Sequence, residues 1–367
     1  MALYVKDLMQ WMEHWAPLSL QESYDNAGLL VGEPQWEVKG VLVALDVTEE
    51  VLNEAMASGC NLVIAHHPVI FGGLKRLTGK TMVERVVAKA IKQDIALYAA
   101  HTNLDYVRTG VNAMICQKLQ LGQVSILQPK SSASLKLTTF VPAAHVTTVM
   151  EALAAAGAGV IGNYSHCSFQ VEGTGTFLGD EHANPFLGQA GNLEKAGETR
   201  LEMLVPAYRK NAVMAALRQA HPYEEVAYFL QPTDNPDPAV GAGMIGSLPA
   251  PMQGPEFLAH LKSQMQLPII RHTALPLKPV QRIAVCGGAG VFLLKDAMAQ
   301  RADVLVTSDF KYHDFFLPEG QLMVADIGHY ESEVHTIELI THRLLQQFTD
   351  LKVLGTRVMT NPVRYYF

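Results

Sequence analysis

Over residues 41–128, unbroken apolar runs alternate with amphipathic stretches: 41–45, 62–65 and 96–100 read as strands, and 48–58 and 82–93 as helices. This succession marks β-α-β units. Strands without polar alternation are expected to be covered by helices on both faces. The pattern returns near the C-terminus, with strands at 282–285, 304–307 and 322–325, a helix from about 291, and a long helix over 332–347. Both ends of the chain are therefore expected to share one α/β domain built on one sheet.

Between them the pattern changes. The strand 135–141, Pro142 and the helix 145–156 resemble the strand 200–205, Pro206 and the helix 209–220; each strand ends in Val-Pro and each helix carries Val-Met-x-Ala-Leu. Such a duplication predicts a small ferredoxin-like α+β domain inserted into the larger one. Pro129-Lys-Ser-Ser-Ala and Gln231-Pro-Thr-Asp-Asn-Pro-Asp-Pro have linker composition at its two borders. The expected division is 1–130, an insert over 131–238, and 239–367.

Composition narrows the function classes. A formal charge of −7 and the lack of a Lys/Arg run argue against nucleic-acid binding, which needs clustered positive charge. Cys60, Cys116, Cys167 and Cys286 are far apart and form no CxxC pair, so reduced thiols and a cytoplasmic location are expected. Residues 5–15 alternate apolar and charged positions at helical spacing and lack a signal-peptide core. No apolar stretch approaches the ~20 residues needed to span a bilayer. A soluble protein is expected.

The chemistry is concentrated where strands end. His66 and His67 close one apolar run, His101 and Asp105 follow another, and His329 and Glu333 follow a third. Imidazole and carboxylate together suit divalent cations, and ligands projected from strand ends can converge on one cleft. Neighbouring side chains on extended backbone diverge, so His66 and His67 are expected to serve different ions. Read singly, each cluster also fits turn histidines, an Asx turn or an exposed helical pair. His329 and Glu333 share a helix face at i and i+4, and a carboxylate such as Glu333 can bridge two cations, whereas Glu331 points elsewhere.

Other polar groups have competing readings. Asp309, Lys311 and His313 follow a further strand and are expected either to contact substrate or to cap and coat the surface. Tyr24, Asp25 and Asn26 form a polar loop, a lid or a subunit contact, and Asp46 reads as part of a helix entry. Cys286-Gly-Gly-Ala-Gly290 lies between a strand and a helix; it reads as a tight turn before it reads as a phosphate cradle. His166, Cys167, His221 and Glu224 lack a chelating spacing, and structural or oligomer-contact roles are expected for them.

The stretches Ser23-Tyr-Asp-Asn-Ala-Gly-Leu-Leu-Val-Gly32, Ala65-His-His-Pro-Val-Ile-Phe71, Ala100-His-Thr-Asn-Leu-Asp105, Thr307-Ser-Asp-Phe-Lys-Tyr-His313 and Asp326-Ile-Gly-His-Tyr-Glu-Ser-Glu333 resemble the Nif-three-like dinuclear-metal-centre family. Its members are also named GTP cyclohydrolase 1 type 2 homologs. Asn163-Tyr-Ser-His-Cys167, Gly173-Thr-Gly-Thr176 and His221-Pro-Tyr-Glu-Glu225 resemble its optional PII/CutA-like middle insert. The resemblance implies a homohexameric toroid and metal ligands at His66, His67, Asp105, His329 and Glu333. Ser308 stands where that family's pattern has glycine. His101 has three readings, a sixth ligand, a support that orients Asp105 or a bound water, and a proton carrier; with five ligands so assigned, the last two are expected.

The resulting expectation is a hydrolase holding two divalent ions (zinc, iron, manganese, nickel or cobalt) and acting on a nucleotide or related phosphorylated small molecule. A metal chaperone or scaffold is the alternative. A regulatory protein whose insert senses a small-molecule ligand is a third reading.

Overall fold

The computed structural model describes residues 2–131 and 134–366. Ser132 and Ala133, in the expected entry linker, lie outside them. The chain divides into two compact units, one made of Met1–Gln128 with Ala239–Phe367 and the other of Pro129–Pro238.

The first unit contains two sheets rather than the single sheet expected. One has the order Gly28–Val31, Ala96–Ala99, Leu62–Ala65, Val41–Ala44, Val353–Gly355. All its pairings are parallel except that of the edge strand Gly28–Val31. The other sheet has the order Arg271–His272, Met323–Asp326, Val304–Ser308, Val280–Ala289, Asp237–Met252, Gly122–Lys130. Consecutive β-α-β units pair with their own neighbours, so each end of the chain completes its own parallel core. Val353–Gly355 crosses back to pair with Val41–Ala44, and Gly122–Lys130 of the first part of the chain joins the edge of the second sheet.

Alternate residues explain the burial. Ile283, Val285, Val304 and Val306 join Phe257 and Leu261 in one cluster, while Ala284, Leu305 and Val324 join Leu294 and Ala297 in another. Apolar residues at every position thus fill both faces of the second sheet. In the first sheet, Leu42, Val63 and Leu97 pack with Val51, Leu52, Val86 and Ala90 of the helices Glu49–Ala57 and Met82–Lys92. Those helices start where Thr48 and Thr81 hydroxyls accept the backbone N–H groups of Val51 and Glu84.

The long helix expected over 332–347 is broken. A short helix, His329–Glu333, contacts the strands of the second sheet, and Thr336–Gln347 contacts Val41–Ala44 and Val353–Gly355 of the first. Ser332 pins the first piece, its hydroxyl accepting from Gly288 N and donating to His329 O. Packing against two different sheets requires the turn at Val334 and His335.

The second unit runs strand, helix, strand, strand, helix, strand, in the sheet order Ser168–Leu178, Leu193–Pro206, Ser134–Pro142, Tyr228–Thr233, with every pairing antiparallel. The duplicated strands Ser134–Pro142 and Leu193–Pro206 are direct partners, and each ends at proline before a short turn and a helix, Val146–Ala155 or Lys210–Ala220. Among the described residues, no helix is long and apolar enough to cross a membrane.

Candidate metal centre

His66 and His67 immediately follow the strand Leu62–Ala65, His101 follows Ala96–Ala99, and Asp105 sits on the short helix Thr102–Tyr106. His329 and Glu333 occupy the short helix after Met323–Asp326. Candidate ligands from the two sheets meet here, so the cleft lies between sheets and not along one sheet edge. Two groups of side chains have potential ligand atoms within 4.8 Å of one another: His66, His67 and His101, and His67, His329 and Glu333.

Glu333 is the hub. One carboxylate oxygen accepts from His67 Nε2 at 2.9 Å and from His329 Nε2 at 3.1 Å, and the other lies 3.7 Å from His66 Nε2. Each imidazole is also held at its far nitrogen. His66 Nδ1–H donates to Ala100 O at 2.8 Å, His67 Nδ1 to Asp46 at 2.7 Å, His101 Nδ1 to Asp25 at 2.7 Å and His329 Nδ1 to Asp309 at 2.7 Å. Such partners fix ring orientation and leave Nε2 facing the cleft.

His66 provides the test of fit. Since its Nδ1 donates to a carbonyl, the neutral ring carries a lone pair at Nε2, and that atom is buried with no hydrogen-bond partner. It faces Asp105 Oδ1 at 3.8 Å, another buried oxygen without a partner, and Glu333 at 3.7 Å. A lone pair against two carboxylates is unfavourable by itself and becomes favourable around a cation. The donor set therefore fits divalent metal.

The electrostatics agree. Burial opposes charge on His67, but hydrogen bonds to Asp46 and Glu333 outweigh it and raise its pKa to about 10. The hydrogen bond to Glu333 likewise raises His329 to about 9, against the opposing effect of burial. Burial pushes Asp105 up to about 7, with the Glu333 charge adding to it. Burial also works against ionisation of Glu333, yet the surrounding histidines hold its pKa well below the usual carboxylate range.

The site has supports that sequence reading assigned elsewhere. Asp309 reaches His329, so it acts on a ring of the cluster. Lys311 and His313 lie on the exposed turn around Tyr312–Phe316, where Lys311 N donates to Asp314 and His313 packs on Tyr312. Asp46 holds His67 and accepts from the Thr360 hydroxyl at 2.6 Å, and Asp25 holds His101. Glu331 is buried away from the cluster and accepts from Asn361 and the Tyr365 hydroxyl. An aspartate after a strand is too common a signal to identify these supports.

Two N–H groups of the glycine turn are committed within the protein, as the tight-turn reading expects. Gly287 N donates to Asn112 Oδ1 and Gly288 N to Ser332 Oγ, while Gly288 O accepts from Thr307 and Ser308. The Ser308 hydroxyl thus braces the turn at the position where glycine was expected. In the second unit, His221 is committed to Phe140 O and Tyr223 N, and the carboxylate of Glu224 accepts from Asn184 N. His166 pairs with Glu151, and the Cys167 thiol makes a weak contact to Ser165 O.

A cavity of about 400 Å³ opens beside the cluster. His67, His329, Asp46 and Asp309 form one wall, and Arg271, Tyr330 and Tyr365 lie among its other lining residues.

The model of the Duf34/NIF3 (NGG1p interacting factor 3) family matches residues 3–362. The chain is 39% identical over 366 residues to the GTP cyclohydrolase 1 type 2 homolog of Halalkalibacterium halodurans, covering 98% of both chains. It is 36% identical over 369 residues to the protein of that name from Bacillus subtilis, again covering 98% of both. The crystal structure of a Bacillus cereus protein related to NIF3 superposes with a TM-score of 0.87 at 36% identity, covering 100% of both chains. The chain belongs to the Duf34/NIF3 family.

Proposed function

We propose that this Duf34/NIF3 member is a hydrolase with two divalent metal ions, acting on a nucleotide or related phosphorylated small molecule. His66, Asp105 and Glu333 would hold one ion and His67, His329 and Glu333 the other. The observation carrying this reading is the buried, partnerless Nε2 of His66 facing the carboxylates of Asp105 and Glu333. Zinc, iron, manganese, nickel and cobalt all suit this donor set. When bound, such ions supply Lewis acidity and stabilise developing negative charge.

The chain's own groups supply orientation and proton movement. Glu333 shares one oxygen between His67 and His329 and turns the other to His66, which is the disposition of a bridging carboxylate. His101, with Nδ1–H on Asp25, is the proton carrier at Nε2, although its closeness to His66 and His67 also suits a further ligand. The adjoining cavity favours chemistry over metal carriage: a carrier calls for an accessible site, whereas His66 and Glu333 are buried and His67 and His329 line a pocket with apolar walls and a few convergent polar groups. Asp309 serves this reading as a support for His329; substrate contact by Lys311 and His313 would require their exposed turn to move.

The strand order of the insert, with its two strand–helix–strand halves, supports a ferredoxin-like, PII/CutA-like module. A homohexameric toroid and a cytoplasmic location complete the proposal, resting on family membership and on the free cysteines. Metal-loaded protein screened against nucleotides and phosphoesters beside a Glu333→Ala control tests the activity. Turnover in the loaded protein and none in the control is expected. Turnover that survives in the control is contamination and removes the hydrolase reading.

A further inference from the structure

The motifs Gly173-Thr-Gly-Thr176 and His221-Pro-Tyr-Glu-Glu225 take no part in the metal cluster, yet they converge within the insert. Residues 173–176 and Tyr223, Glu224 and Glu225 line a cavity of about 720 Å³ together with Phe140, Phe177 and Phe186. Its interior is organised around Glu198. One oxygen of that carboxylate accepts from the Tyr223 hydroxyl at 2.8 Å, and the other lies over Gly175, where an added Cβ would be 1.9 Å away. A side chain at 175 would displace this carboxylate. Tyr223 is itself fixed: its ring packs 4.9 Å from that of His221, which is tied to Phe140 O, and its N–H donates to His221 Nδ1.

Charge and aromatic character then indicate the occupant. Glu172, Asp180, Glu198, Glu224 and Glu225 line the cavity, against Arg200 as the sole cationic side chain among its lining residues. Arg200 is paired with Glu202, which is not part of the lining. The rings of Phe177 and Phe186 stand 6.4 and 6.1 Å from Tyr223. Aromatic faces and carboxylates both attract cations, and the apolar walls suit a group that is weakly hydrated. We infer that this cavity is a binding site for a small organic cation, a substituted ammonium bearing an apolar or aromatic group, held against Phe186 and Tyr223 and neutralised by Glu198.

The test uses full-length, metal-loaded protein with phenyltrimethylammonium as the probe and benzenesulfonate as its anionic counterpart of similar size, measured by calorimetry and saturation-transfer NMR. Phenyltrimethylammonium is expected to bind and benzenesulfonate not to bind. Glu198→Gln and Phe186→Ala are each expected to weaken the ammonium by about tenfold, the equivalent of one lost charged or cation–π contact. Bound metal is expected to stay unchanged in both variants, and circular dichroism reports that they fold. Equal binding of the two probes, or wild-type affinity in both folded variants, overturns the inference. It is also overturned if the wild type binds neither probe while Phe186→Ala breaks a self-associated form, because the cavity is then filled by a second copy of the chain.

Discussion

Gly288 lies directly beneath Glu333: a Cβ at position 288 would stand 2.4 Å from the Glu333 Oε1 atom, and the residue has a φ of +64°. The strand that carries Cys286 can therefore pass under the central carboxylate only because this position lacks a side chain. Gly288→Ala is expected to cost about 1–2 kcal/mol through left-handed backbone strain and to displace Glu333 as well. Thermal unfolding together with elemental analysis checks it; a variant with wild-type metal content would show that Glu333 tolerates the shift.

His67→Ala and Glu333→Ala are expected to lower metal stoichiometry while leaving the fold intact, since the strands behind them are closed by apolar packing. The Glu333 change should be the more severe, because both potential ligand groups adjoin it. Inductively coupled plasma mass spectrometry on folded, purified variants decides this. Unchanged stoichiometry in either one refutes the ligand assignment.

Thr360 belongs to the segment before the C-terminus, yet its hydroxyl reaches Asp46, and Asp46 holds His67. Thr360→Val is expected to weaken metal binding by about tenfold, at the low end of the effect of outer partners on metal sites. Thr360→Ser should restore it. Competition with a chromophoric chelator measures both, and equal weakening by valine and serine would place the effect in packing instead.

Metal uptake should release protons and strengthen as pH rises. His67 and His329, with pKa values raised to about 10 and about 9, hold protons at neutral pH in the metal-free protein, and a cation must displace them. The stability contributed by these raised values is fully present below the unfolded histidine pKa of 6.5 and is lost as pH climbs through the folded values. Asp105, raised to about 7, acts in the same direction, while the lowered Glu333 loses its contribution only in acid. Metal-free protein should thus lose thermal stability between about pH 6.5 and 10, and metal-loaded protein should lose less. Calorimetry in buffers of different ionisation enthalpy counts the protons; a heat independent of buffer would contradict proton displacement.

Local pattern was enough for many of the elements, although not for edge strands such as Gly28–Val31, Gly122–Lys130 and Val353–Gly355. The strand read from residues 62–65 is Leu62–Ala65, and the helix read from 82–93 is Met82–Lys92, because continuous apolar runs and a threonine cap act within a few residues of sequence. The same pattern put His66, His67, His101 and His329 beyond strand ends, and the Val-Pro repeat marked the paired strands of the insert. What tertiary structure alone decided involves partners distant in the chain. Division into two sheets depends on which strands pair, and the break before Thr336–Gln347 depends on helices meeting different sheets. Asp46 holding His67, Asp309 holding His329 and Gly288 making room for Glu333 are contacts between side chains or backbone whose spacing in sequence carries no periodic signal. The sequence determined which donor types stand at the strand ends; packing one sheet against the other decided which of them come within reach of one another, since the geometry of a donor set is a property of distances that no single segment contains.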